Sequence, residues 1–432
     1  MSIAFQHDAS FARKLDAEDP LAEFRERFLV PKGPDGKEVI YLCGNSLGLQ
    51  PRSARPLVEQ ELKDWESLAV GGHFQAKTPW YSYHEIFRES GASLVGAHPG
   101  EVVMMNSLTI NLHLMLVTFY RPTRERHKIL MEDCAFPSDT YAVKSQIGHH
   151  GFDPKKALLI AKPRAGESIL RTKDLEALLE EKGKEIALVM LGGVNYFTGQ
   201  AFEIARIAAA AKRHGCAVGL DVAHAAGNVL LDLHRWDVDF AVWCSYKYLN
   251  AGPGAVAGCF VHETHGANLD LPRFAGWWGN DPETRFRMHL QPEFIPRKGA
   301  EGWQVSNPPI LSLAPLKASL DLFEEAGMES LRQKSEVLTG YLIYLIDRIP
   351  RGRFQIITPR EPAQRGCQVS IRAGERAQEL SRTLEKAGVM ADFREPDVLR
   401  VAPVPLYNRF HEVWRFARIL AGEEDPSRPD RK

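Results

Sequence analysis

What this chain of 432 residues has little of narrows its class. Its six cysteines, Cys43, Cys134, Cys216, Cys244, Cys259 and Cys367, are scattered, with no C-x-x-C pair. That usage argues against a disulfide framework or a structural zinc site and for reduced thiols in a cytoplasmic protein. No uninterrupted apolar run approaches the roughly 18 residues of a membrane span. Net charge is nearly absent as well: 54 basic and 55 acidic residues leave −1, so no global field favours nucleic acid or an anionic membrane. The stretch Met1 to Arg25 places Asp8, Asp16, Glu18 and Asp19 where a secretory signal would need apolar residues, so none is expected. His262-Glu-Thr-His265 resembles a metal pair but lacks the H-E-x-x-H spacing and a third ligand, so no metal is expected. Neither internal repeats nor low-complexity segments interrupt the chain.

What remains is the composition of an ordinary soluble globular protein, 44 % apolar and 25 % charged. The length suits two or three domains, or one large α/β domain with a smaller appendage. Residues 1–40 read as an arm with one helix around Pro20 to Phe28. A strand at 39–43, the turn Gly44-Asn-Ser-Leu-Gly48 and an amphipathic helix at 54–68 follow, and Gly71-Gly72-His73 marks a loop. Apolar runs at 102–105, 128–131, 157–161, 186–191, 217–220 and 256–261 then alternate with helical patterns at 110–120, 172–182 and 202–214. This rhythm predicts an α/β fold with a mostly parallel, doubly wound sheet and a site at the carboxyl ends of its strands. Helices at 313–326, 329–349, 379–387 and 408–420, with strands at 367–371 and 399–401, predict a second, smaller α/β unit. The expected boundaries are an arm over 1–60, a large domain over 61–315 and a small domain over 316–432. The charged tail, 423–432, is expected to be disordered.

Two short apolar runs between Ala217 and Cys259 end in ionisable residues. The first delivers Asp221 and His224, the second Tyr246 and Lys247. A lysine at the end of a buried strand is costly as an ammonium, and the same burial frees its amine as a nucleophile for Schiff-base chemistry. An enzyme of pyridoxal phosphate (PLP) needs such a lysine and an acidic partner for the cofactor's ring nitrogen. Asp221 lies 26 residues before Lys247, enough for one α/β excursion between neighbouring strands. The spacing alone also admits an Asp221 that caps a helix and a Lys247 in solvent. Asn106-Ser-Leu-Thr109 opens a helix whose free N–H groups suit a phosphate as well as an ordinary cap. The glycines of Gly252-Pro-Gly-Ala-Val-Ala-Gly258 precede a strand and do not open a helix, which argues against a dinucleotide loop.

Longer words carry a resemblance. Gly219-Leu-Asp-Val-Ala-His-Ala-Ala-Gly-Asn228 and Trp243-Cys-Ser-Tyr-Lys-Tyr-Leu-Asn-Ala-Gly252 resemble the kynureninases. So do Leu42-Cys-Gly-Asn-Ser-Leu-Gly-Leu49, Ala135-Phe-Pro-Ser-Asp139, Ser306-Asn-Pro-Pro-Ile310 and Arg400-Val-Ala-Pro-Val-Pro-Leu-Tyr-Asn408. The resemblance implies the α/β fold of fold-type I PLP-dependent transferases. In that fold a large domain, with a mostly parallel seven-stranded sheet sandwiched by helices, carries a small α/β C-terminal domain. It implies PLP-dependent hydrolysis of L-kynurenine, and of 3-hydroxykynurenine, to anthranilate or 3-hydroxyanthranilate and L-alanine by Cβ–Cγ cleavage, in tryptophan catabolism and NAD biosynthesis.

Residue by residue, the resemblance places Lys247, Tyr246 and Asp221 in catalysis. It assigns PLP to Leu108 (through its backbone), Thr109, Phe136, Ser138, Asp139, Asp221, His224, Tyr246, Lys247, Trp277 and Asn307. It assigns substrate to His73, Ser306, Asn307 and Arg400. By themselves His73 reads as an ordinary loop histidine, Phe136 as core and Arg400 as half of an ion pair. Trp277 and the Ser306-Asn307 segment resemble elements that cross a homodimer interface to complete the neighbour's site. Gly192 departs from the pattern, because some relatives have a serine there that contacts the cofactor. An aminotransferase or a cysteine desulfurase of the same fold would share Asp221 and Lys247. A desulfurase, however, needs a persulfide-carrying cysteine on a mobile loop, whereas Cys244 and Cys259 flank strands and Cys367 begins one.

Overall fold

A computed structural model of the chain describes residues 4–350 and 352–423. Seven strands form the central sheet: β1 (Val102–Met104), β2 (Lys128–Glu132), β3 (Leu158–Ala161), β4 (Ile186–Gly192), β5 (Ala217–Asp221), β6 (Phe240–Trp243) and β7 (Gly258–Val261). Their spatial order is β1-β7-β6-β5-β4-β2-β3. The pairs from β3 through β6 are all parallel, and β7 runs antiparallel to both β6 and β1. The sheet is thus mostly parallel, as the βαβα rhythm predicts.

Strands buried on both faces must be apolar at every position, and β4, Ile-Ala-Leu-Val-Met-Leu-Gly, is the example. Successive residues feed opposite cores, because Cβ atoms alternate along a strand. Leu188, Met190, Phe240 and Val242 pack on one face with α3 (Leu108–Phe119) and α4 (Pro137–His149). Val189, Leu191, Ala241 and Trp243 pack on the other with α5 (Thr172–Lys182), α6 (Ile204–Arg213) and α7 (Ile310–Ala326). Among the helices that precede these in the chain are α1 (Ala9–Ala17) and α2 (Ala54–Leu68), and α2 packs on α7.

A second core gathers around α8 (Met328–Ile346), α9 (Ala377–Lys386) and α10 (Phe410–Ala421). Its four-stranded sheet is antiparallel, in the order β8 (Gln355–Ile356), β9 (Val369–Arg372), β11 (Val398–Val401), β10 (Asp392–Arg394). Helix α8 belongs to both units: Leu331 joins the large core, and Leu338 to Ile346 join the small one. The N-terminal arm docks here as well. Asp16 accepts the first backbone N–H groups of α10, from Phe410 and His411, and Ile40–Tyr41 pairs in parallel with Val389–Met390.

Three local expectations are corrected. The helix expected around Pro20–Phe28 is a 3-10 turn, Ala22–Arg27, and the α-helix of the arm is α1. Asp8 starts α1 by accepting the Phe11 N–H, whereas Leu21, before the 3-10 turn, offers no side-chain cap and Arg25 turns inward to Glu38 and Glu412. The loop at Gly71-Gly72 is a 3-10 turn running into the short helix Gly72–Gln75. The strand expected at 39–43 shrinks to Ile40–Tyr41, paired with Val389–Met390, and Cys43 makes only an isolated bridge to Ala402. The expected disordered tail lies, beyond Glu423, outside the described residues.

Gly258 faces Trp243 across the β6–β7 pair, and a Cβ there would overlap the buried indole. Gly258→Ala therefore overpacks the core and should cost about 1–3 kcal/mol, read as a lower denaturation midpoint at unchanged slope.

Candidate active site

Asp221 is the last residue of β5, and Lys247 lies just beyond β6, so the parallel pairing of these strands delivers both to one end of the sheet. Lys247 Nζ stands 2.9 Å from His224 Nε2 and 5.5 Å from the centre of the Phe136 ring. Burial, followed by the charges of Lys247, Arg400 and Arg394, holds the His224 imidazole well below its usual pKa. The ring is therefore neutral, and its Nδ1 has no partner.

Three carboxyls meet behind this pair. Asp221 accepts the Ala223 N–H at 2.8 Å. Burial pushes the Asp139 carboxyl well above the usual range, and the neighbouring Asp221 charge and a hydrogen bond to Asp221 add to the shift. Of the two, Asp139 is the carboxyl pushed toward its protonated form. Glu132, at the end of β2, takes the Gly192 N–H at 3.1 Å, and burial raises it to about 7. A Cβ at Gly192 would approach Glu132 Oε1 at 2.9 Å, so this carboxyl borders the space of a larger residue at that position.

Helices α3 and α4 both begin here, and no side chain caps either start. Thr109 Oγ1 and Ser138 Oγ, 3.2 Å apart, join the two ends. Uncapped N–H groups, two dipole ends and two hydroxyls make a cradle for an anion. Phe136 beside it is 40 % exposed, with Lys247 Nζ over its ring and the Tyr196 ring edge-on to it.

Arg400 reaches the same pocket from β11. It donates to the Tyr196 carbonyl at 2.7 Å and pairs with Asp392, which Arg394 also contacts at 3.2 Å. The Nε–H groups of both arginines are buried without partners. The Tyr196 ring lies 5.3 Å from Phe136 and 6.4 Å from His224, closing the pocket between the two domains. Tyr246 is half-exposed, and burial, with Cys244 beside it, holds its phenol above the usual pKa, so it stays protonated. Its carbonyl accepts the Gly48 N–H at 2.8 Å. A Cβ at Gly48 would overlap Asn250 and the Lys247 carbonyl, which is why the Gly44–Gly48 turn can brace this loop.

A protein named kynureninase from Koribacter versatilis is 57 % identical over 96 % of this chain and 98 % of its own. One from Myxococcus xanthus is 58 % identical over 97 % and 98 %. The chain belongs to the kynureninase family. The family's C-terminal domain matches residues 331–420, which spans most of α8 through α10. A cysteine desulfurase structure from Thermococcus onnurineus superposes with a TM-score of 0.75 at 18 % identity, covering 93 % of this chain and 97 % of that one. A cystine C–S lyase complex superposes at 0.72 and 20 % identity, covering 89 % and 98 %. These two show the shared fold, and the family comes from the sequence relatives.

Of the residues singled out from sequence, the structure brings together Leu108, Thr109, Phe136, Ser138, Asp139, Asp221, His224, Tyr246, Lys247 and Arg400. His73, Trp277, Ser306 and Asn307 are elsewhere in the single chain. His73 packs against Trp80 at 5.7 Å, and Trp277 against Trp278 at 4.7 Å. Ser306 Oγ contacts Asn307 Oδ1 at 3.2 Å on an exposed loop. Sequence reasoning missed Glu132, Tyr196, Asp392 and Arg394. Only Glu132 left a signal, as an acid closing an apolar strand.

The folded pKa of Glu132 lies above its unfolded value, so the native state holds the extra proton. The stability it contributes is complete below about 4.5 and is lost as pH rises to about 7. Glu132→Gln keeps the acceptor for Gly192 but has no proton to lose. Its unfolding free energy should gain on the parent by about 3 kcal/mol across that window, as measured by denaturant titration at each pH.

Proposed function

We propose that the chain hydrolyses L-kynurenine to anthranilate and L-alanine, and 3-hydroxykynurenine to 3-hydroxyanthranilate and L-alanine, in the pocket around Lys247. The observation that carries this reading is identity of 57 % and 58 %, over nearly the full length, to two proteins named kynureninase.

The pocket's residues fit PLP. The Thr109–Ser138 cradle and the Leu108 N–H suit its phosphate, the exposed Phe136 its ring, Asp221 its ring nitrogen and Lys247 its aldehyde carbon. The unpartnered Nδ1 of His224 marks a further polar atom awaiting a contact. When bound, PLP supplies a carbonyl that joins amines and a cationic ring that takes up electron density from the substrate's α-carbon.

The chain's own residues do the rest. Lys247 holds the cofactor until the substrate amine replaces it, then moves a proton at the substrate Cα. Neutral His224 accepts from the amine and adds no competing cation. Asp139, pushed toward its protonated form, stands beside Asp221, the carboxylate that would face a cationic ring nitrogen. Arg400 and Arg394, with unused Nε–H donors, receive the substrate's α-carboxylate. Tyr246, held protonated, is the acid at the ketone oxygen as water adds and the Cβ–Cγ bond breaks.

His73, Trp277, Ser306 and Asn307 complete the site from the subunit interface of a homodimer. Phe74 and Phe286, both more than half exposed, stack around Tyr81 beside Trp277 and form an apolar surface of the kind that marks such interfaces. The cytoplasm suits six cysteines that form no disulfide. No helix among the described residues is long and apolar enough to cross a membrane.

Borohydride reduction should fix a pyridoxyl group on Lys247, and a label mapped to another lysine would remove this assignment. Wild-type protein given L-kynurenine should yield anthranilate and alanine in equal amounts. Mainly keto acid, with a need for an amino acceptor, would make it an aminotransferase. Tyr246→Phe should lose on the order of 10²–10⁴ in anthranilate formation while Lys247 still takes the label. Mixed Lys247→Ala and Asn307→Ala subunits should regain activity that neither has alone, and no recovery after proven exchange would place Asn307 in its own chain's site.

A further inference from the structure

At the sheet edge opposite Lys247, three segments meet: the turn before β1, the loop before β6 and the turn after β7. They bring a column of imidazoles together. The His98 and His234 ring centres are 4.1 Å apart, and those of His234 and His262 are 5.0 Å apart and nearly parallel. Beneath them Glu101 is 1 % exposed. Its carboxylate accepts the backbone N–H groups of His98 and Glu263, both at 2.7 Å, and faces His234 Nδ1 at 3.0 Å.

A carboxylate on Nδ1 puts the ring proton there and leaves the Nε2 lone pair pointing away. That is the arrangement of a histidine made ready for a metal, its outer nitrogen a ligand and its inner one tied to an acid. Exposed His98 and Glu263 stand beside the ring, and one ligand atom from each of the three lies within 4.8 Å of the others. The Glu263 side chain has no hydrogen bond or ion pair among the described residues. His262 is spent elsewhere, with one ring nitrogen on Thr264 and the other on the His234 carbonyl. His265, its partner in the sequence pair, faces away to Asp239 at 2.6 Å.

We propose that His98, His234 and Glu263 form a site for a borderline divalent ion such as zinc, with water as the fourth ligand and buried Glu101 orienting His234. Imidazole and carboxylate donors in a tetrahedral set are the ligand class of zinc and its neighbours. Ligands about 2 Å from zinc stand about 3.3 Å apart, a closure that the two exposed side chains make by turning. The charges of Glu101 and Glu263 balance the dication. A second cluster, His84, Glu85 and Glu301, cannot do the same, because Arg88 and Arg297 already hold its carboxylates.

The site ties edge strand β1 and its neighbour β7 to the entry of β6, far from the catalytic end, so occupancy stabilises the fold without entering the reaction. A proton competes for the same nitrogen. The groups facing His234 are Glu101, Glu263, Asp232, His98 and His262. Metal retention therefore falls as the solution is acidified.

The test uses the untagged holoenzyme, stripped with a chelator, offered zinc chloride, desalted and analysed for metal. The wild type should retain one zinc per chain, melt at a higher temperature with it, and show with cobalt(II) the visible absorption of a four-coordinate ion. The double variant His98→Ala/Glu263→Gln changes only exposed side chains. It should retain none, with kynurenine hydrolysis unchanged. Glu101→Gln should bind about 10–100-fold more weakly. Equal zinc in wild type and double variant, or none in the wild type, would overturn the proposal. Neither result bears on Lys247 or on the reaction.

Discussion

Two positive charges cannot share 2.9 Å in a buried pocket, and the contact between Lys247 and His224 imposes that exclusion on everything near it. The histidine gives way: desolvation and the nearby cations keep it neutral. Carboxyls at the ends of β2 and β5 and in the first turn of α4 face the lysine in turn. Those carboxyls crowd one another, and Asp139 is pushed toward its protonated form. On the far side Arg400 and Arg394 share one aspartate, Asp392, which leaves that wall with a surplus of positive charge. A ligand with an anionic group at one end and a cationic ring nitrogen at the other finds a complement already in place. The protein has made the compensating adjustments in protonation before any ligand arrives, which is how a preorganised site lowers the cost of binding and reaction.

Much of this was legible in the chain. The alternation of apolar runs with helical patterns gave the sheet, and strand ends gave Asp221 and Lys247 because a doubly wound sheet concentrates its chemistry there. Long identical words gave the cradle at Thr109 and Ser138 and the arginine on β11. Tyr196, Asp392 and Arg394 were not legible. Tyr196 lies in an irregular loop after β4, and the two charged residues lie on a short strand whose pairing is set by β11, so no periodic pattern singles them out. The arm was misread for a related reason. Its helix is capped by Asp8, and Arg25 is buried by acids that are distant in sequence, Glu412 among them. His73, Trp277, Ser306 and Asn307, assigned by the resemblance alone, make their own contacts outside the pocket of the single chain.

The small unit is assembled from both ends of the chain. Helix α1 and the strand Ile40–Tyr41 come from its beginning, and α9, α10 and Val389–Met390 from its end, with Asp16 holding the first turn of α10. On a ribosome, α1 and Ile40–Tyr41 have no partner until Val389–Met390 and α10 emerge. The large unit, whose sheet is complete by Val261, has all its strands well before then. Synthesis therefore presents a nearly finished sheet with an unpaired leader, and the apolar faces of Ala12, Ile40 and Leu42 stay uncovered for most of that time. The strand that carries Arg400 belongs to the same core as α1 and α10, so that wall of the pocket takes its final form only after segments far apart in the chain have met.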